Sequence, residues 1–65
     1  MLTIHEGVQA LIKKLTNLTL DAQKFDEGNA AAGTRVNKTL MEVSKDCKHI
    51  RQGVLAIRKR RKLNQ

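Results

Sequence analysis

The chain has 65 residues, room for one small domain, and carries 13 Lys and Arg against 6 Asp and Glu, a formal net charge of +7 at pH 7. One Phe, no Trp, Tyr or Pro, and a single Cys argue against an all-β fold and exclude an internal disulfide. Apolar residues at 40% are too many for a chain disordered throughout, yet no run reaches the roughly 18 residues of a membrane span or forms a signal-peptide core. The expectation is a small, soluble, largely helical basic protein of a reducing compartment.

The first half places apolar residues at Ile4, Val8, Leu11, Leu15, Leu18, Ala22 and Phe25, in alternating steps of four and three. That period of 3.5 is a heptad seam, with Val8 at a and Leu11 at d, and it predicts a helix over about 3–27. Ile12, at the neighbouring e position, widens the seam toward a second neighbour. Asp26-Glu27-Gly28-Asn29 follows, and it reads as a hinge. Gly28 suits the left-handed position that ends a helix, Asn29 is a favoured N-cap, and Ala30–Ala32 have the best helix propensity. A second helix is predicted over about 30–62. Its seam is Val36, Leu40, Val43, Cys47, Ile50, Val54 and Ile57, again in steps of four and three, with Leu40 at a and Val43 at d.

A two-residue link makes two such helices antiparallel neighbours. The predicted fold class is therefore all-α: one domain over 1–65, an antiparallel two-helix hairpin with heptad seams. A chain this short, without metal or disulfide, commonly needs a partner to fold. A homodimer forming a four-helix bundle is expected.

Charge divides the chain as sharply as the hinge does. Residues 1–28 hold Lys13, Lys14 and Lys24 against Glu6, Asp21, Asp26 and Glu27, a net of −1. Residues 29–65 hold Arg35, Lys38, Lys45, Lys48, Arg51, Arg58, Lys59, Arg60, Arg61 and Lys62 against Glu42 and Asp46, a net of +8. On the helical wheel Lys38, Lys45 and Lys59 fall at f, Arg51 and Arg58 at e, and Lys48 and Lys62 at b. Folding on the seam leaves these as a basic stripe on the outer face, which points to a polyanion. One or two C-terminal cations complement the helix dipole, but five in succession exceed that need. A membrane-surface helix wants a broad apolar face with aromatic residues beside its cations, and here the only Phe lies on the other helix. The absence of stacking aromatics from helix 2 also disfavours single-stranded nucleic acid. Phosphate contacts to duplex DNA, tolerant of sequence, fit best.

No constellation carries catalysis. Cys47 at an a position reads as a buried thiol packing as a small hydrophobe. Cys47 and His49 share no helical face, His5 is distant, and Ser44, Asp46 and His49 lie on one helix surface without a cleft. No Gly-rich phosphate loop occurs. No catalytic residue, cofactor, metal or small-molecule substrate is expected.

The stretch Lys24-Phe25, Gly28-Asn29, Ala31-Ala32-Gly33-Thr34-Arg35-Val36, with Lys38, Leu40 and Glu42, resembles the core of the bacterial histone-like family, the linker-histone-like nucleoid proteins of chlamydial type. The pattern covers about 20 of the 65 residues. It implies a two-helix DNA-condensing protein without catalysis, in which Arg35 and Lys38 contact DNA. The chain departs from the family at Asn37, where a further basic residue is common, and in lacking the long Lys/Ala-rich tail of some members. Gly33, in a first helical turn, costs about 1 kcal/mol relative to Ala. That leaves two readings: a phosphate site at the helix N-terminus, or relief of packing at the bend.

The functional expectation is an architectural, histone-like protein that compacts duplex DNA as a homodimer, intracellular and associated with a nucleoid or a viral genome. The alternative is a helical oligomerisation or adaptor module whose basic tail serves localisation or solubility. A gel shift with random-sequence DNA at about 150 mM salt separates the two.

Overall fold

The computed structural model describes residues 3–63, which form two α-helices and no strand: α1 (Ile4–Asp26) and α2 (Ala30–Leu63). A capping box opens α1. The Thr3 hydroxyl accepts from the Glu6 amide at 3.1 Å, and the Glu6 carboxylate accepts from the Thr3 amide at 3.1 Å. The hydrogen bond from the Thr3 amide, followed by that from its hydroxyl, holds the Glu6 carboxyl below its ordinary value.

The turn closes by backbone geometry. Gly28 has φ of 104°, a region that side chains resist, and a Cβ there would meet nothing within 4 Å. Its glycine is thus demanded by the dihedral and not by space. The Gly28 amide donates to the Phe25 carbonyl at 2.9 Å and the Asn29 amide to the Lys24 carbonyl at 3.0 Å, using up carbonyls at the end of α1. Asn29 then caps α2, its side-chain oxygen accepting from the Ala32 amide at 3.1 Å.

The helices pack antiparallel into a rod of 55 × 17 × 15 Å. Three close approaches set the register. Next to the turn the Phe25 ring lies over Gly33, and an added Cβ would come within 2.6 Å of it. Farther along, Ile50 reaches Gly7, and at the open end Ile4 reaches Gly53. Gly33 is therefore accounted for by packing against Phe25.

The seam differs from the expected one by a small rotation. The d residues Ile4, Leu11, Leu18, Val36, Val43, Ile50 and Ile57 are half-buried or buried between the helices. Their neighbours in the contact are the g residues Gly7, Lys14 and Asp21 on α1 and Ala32, Thr39, Asp46 and Gly53 on α2. The expected a residues Val8, Leu15, Leu40 and Cys47 are instead exposed, as is Phe25 at d, while Ala22 and Val54 are half-buried. A buried Cys47 is thus corrected: its thiol is exposed on the hairpin. The physical reason lies at g. Glycines at 7 and 53 let the backbones approach, and Lys14 and Asp46 neutralise each other across the contact. Among the described residues only Leu18, at 8% exposure, and Ala32, at 0%, are buried outright.

Candidate nucleic-acid interface

The g residues of both helices meet, so in an antiparallel pair they share one side of the rod and the a residues share the other. On the g side Lys14 Nζ donates to Asp46 Oδ2 at 2.6 Å, with both side chains a little over one-third exposed. Arg35 Nε and Nη2 both donate to Asp21 Oδ1, at 3.1 and 3.0 Å. These bonds raise Lys14 above its ordinary pKa and hold the Asp21 carboxyl below the usual carboxylate range. Between the helices on this side, toward the open end, runs a groove of about 600 Å³ over Gly7, Ala10, Leu11, Ile50, Gly53 and Ala56.

The expected DNA contacts fall into three groups. Arg35 lies beside the turn, half exposed, with its charge spent in part on Asp21. Lys38, Lys45, Lys48 and Arg51 are exposed along the outer face of α2, and among the described residues none of them is in an ion pair. Arg58, Lys59, Arg60, Arg61 and Lys62 occupy the last turns of α2, all exposed. Ile4, at the start of α1, reaches Gly53, and Thr3 and Ile4 share a groove with Ile57 and Arg60 of α2. The first two groups lie along the hairpin, and the third lies at its open end.

Sequence reasoning did not find either interhelical ion pair, nor the capping box. The box had a signal in Thr3-x-x-Glu6. The ion pairs had a fainter one: residues 14 and 46 share a heptad letter and carry opposite charge. Among the described residues no three His, Cys, Asp or Glu side chains group as a metal site would require, and no helix is long and apolar enough to cross a membrane.

A polycationic surface on a two-helix scaffold, with Asp21 and Asp46 paired across the hairpin and cations along the outside of α2, defines a basic helical protein suited to binding a polyanion. The family model of histone H1-like protein Hc1 matches residues 5–60, and the chain belongs to that family, one of structural DNA-binding proteins and not of enzymes. No curated protein and no solved structure matches the chain.

Proposed function

We propose that this protein is an architectural component of a nucleoid that binds and compacts duplex DNA through phosphate contacts with little regard to sequence. The observation that carries the reading is the segregation of charge. Both acids that pair across the hairpin, Asp21 and Asp46, are bound by Arg35 and Lys14, and the exposed b, e and f positions of α2 carry cations and no acid, beside the apolar Met41 and Leu55. Membership of the histone H1-like family supports the same reading. Arg35, Lys38, Lys45, Lys48, Arg51 and the cluster Arg58–Lys62 are the proposed contacts, Arg35 the weakest because of its bond to Asp21.

The working unit in this proposal is a homodimer. The a side of the rod presents Val8, Ile12, Leu15, Leu40 and Cys47 as exposed residues without charge, beside half-buried Val54. Two such faces laid together form a four-helix bundle. Placing α1 over the partner's α2 alternates the near-neutral and cationic helices, while α2 over α2 would stack like charge on like charge. The test is a gel shift with unrelated duplexes at about 150 mM salt, beside sedimentation of the free protein. Shifts of all duplexes by a dimer are expected. Absence of any shift overturns the DNA-binding role, and a folded monomer at micromolar concentration overturns the dimer.

A further inference from the structure

We propose that Leu55, an exposed apolar side chain on the cationic face of α2, is a wedge that enters the DNA minor groove and kinks the duplex at a base step. This deepens the duplex-binding reading above and rests on it. The first ground is position. The contact with α1 is centred between the d and g columns of α2, and at about 100° per residue the b column lies nearly opposite that contact. Met41, Lys48, Leu55 and Lys62 therefore form the crest of α2, farthest from α1. Leu55 is 60% exposed there. Pairing of two hairpins through their a columns leaves it uncovered, because b lies about 100° round the helix from a.

The second ground is what surrounds it. The helical neighbours of Leu55, at three and four residues' distance, are Arg51, Gln52, Arg58 and Lys59. Arg51 and Arg58 stand at e on one flank of the crest, and Lys59 stands at f on the other. Arg58, Lys59, Arg61 and Lys62 border the same shallow hollow as Leu55. The apolar surface is thus one residue wide, with positive charge on both sides. An anionic bilayer rewards a broad apolar face and gains little from one leucine. The minor groove has the matching form. It is about 6 Å wide, too narrow for a helix 10–12 Å across but open to a single side chain, and phosphates run along both its edges. Cations on the two flanks then meet the two strands, and the side chain between them is directed at the base edges. Apolar side chains that enter there part a base step and bend the duplex by roughly 20–90°. Met41, on the same crest at 65% exposure, has cations at f, Lys38 and Lys45, but Asn37 and Ser44 at e, so it lacks the second cationic flank.

The test uses the full chain and a short duplex with a central TA step, the kind of step that unstacks most readily. Energy transfer between dyes at the two ends reports bending, and 2-aminopurine at the step reports unstacking. The natural chain should raise both signals, and netropsin, which occupies the minor groove, should suppress them. Leu55→Ala removes no charge and no interhelical contact. Helix content and salt slope should therefore match the natural chain while both signals are lost, and Leu55→Met should restore them. Met41→Ala should leave them in place. A duplex mispaired at the central step is already partly unstacked, so the natural chain should bind it about tenfold tighter than the intact one. Leu55→Ala should bind the two with equal affinity. Duplex binding with neither signal, signals that survive Leu55→Ala or netropsin, or signals lost equally in Met41→Ala would each overturn the wedge and leave the phosphate surface standing. Failure to bind any duplex overturns the parent reading instead, and Leu55-dependent binding to anionic vesicles with no duplex binding assigns this face to a membrane surface.

Discussion

The outer face of α2 makes a quantitative demand on salt dependence. Lys38, Lys45, Lys48, Arg51, Arg58, Lys59 and Lys62 occupy the e, f and b positions and are exposed, and no ion pair among the described residues engages them. From Lys38 to Lys62 they cover roughly 36 Å of helix, a span facing many more phosphates than there are cations. If all seven engage, log affinity falls with log salt at a slope of about −6. Replacing Lys45 and Lys48 by Gln removes two of these cations, so the slope becomes shallower by about two units and affinity near 0.15 M salt falls about thirtyfold, for every duplex alike. The natural and variant lines should converge toward 1 M salt, where counterion release vanishes. Fluorescence anisotropy on a labelled duplex between about 50 and 300 mM NaCl measures both lines. Lys13→Gln is the control: it removes one charge from α1, which as a whole is near neutral, and should leave the slope unchanged, where an engaged cation would shift it by about 0.9 unit. An affinity indifferent to salt, or a Lys45/Lys48 variant whose slope matches the natural chain, refutes the distributed phosphate surface.

Sequence tolerance follows from the same picture, because phosphates carry no base identity; a preference above roughly a thousandfold for one duplex in a competition panel would contradict it. Val43→Asp or Ile50→Asp sets an unpaired charge between the helices and should cost roughly 3 kcal/mol, abolishing helicity and assembly together; circular dichroism showing native helix content in either variant would refute the d-position contact. Gly33→Ala should show its helix-propensity gain of about 1 kcal/mol only when Phe25→Ala is also present, since with the ring in place the new Cβ falls 2.6 Å from it; a double-mutant cycle with no coupling would remove the Phe25–Gly33 contact from the account. Glu6 and Asp21 have lowered pKa values in the fold, so their contributions are present above about pH 4 and fade as pH falls through the folded values, whereas Lys14 is raised and its contribution fades only as pH rises through the lysine range; Asp21→Asn should flatten the acid limb of a thermal-stability profile, and an unchanged limb would discount the Arg35 bond.

Much of the hairpin is legible in the chain because its determinants are local. Gly28 and Asn29 act through their own dihedrals and caps, within three residues of where they stand. The two helices announce themselves through seven apolar positions each, at a spacing that no strand shares. The basic character of α2 needs only a count of cations. What escaped was information held between distant residues. Lys14 and Asp46 are 32 positions apart, and a charged residue read alone belongs to the surface, yet this pair lies in the interhelical contact because each satisfies the other. Gly33 reads equally as a phosphate cradle or as packing relief until the ring of Phe25 is seen over it.

The rotation of the seam has the deepest physical content. A heptad pattern names two apolar columns, a and d, but two helices meeting edge to edge can centre their contact on only one column and must choose a neighbour for it. Charged Lys14 and Asp46 look like poor neighbours beside Val8, Leu15 and Leu40, and a sequence argument chooses a. The chain takes g instead, since Gly7 and Gly53 bring the backbones close and the opposed charges cancel at 2.6 Å. The consequence is a surplus: each helix keeps a column of apolar side chains that the hairpin does not use, on the side away from the ion pairs. Water contact with that column is unfavourable in proportion to its area, at about 25 cal/mol per Å². Burial of it against a second hairpin is the proposed remedy, and it leaves the b and f cations of α2 open for DNA. In the proposed dimer the a column is buried and the f column, Lys38, Lys45 and Lys59, stays open for DNA, with Arg51 and Arg58 at e between the two.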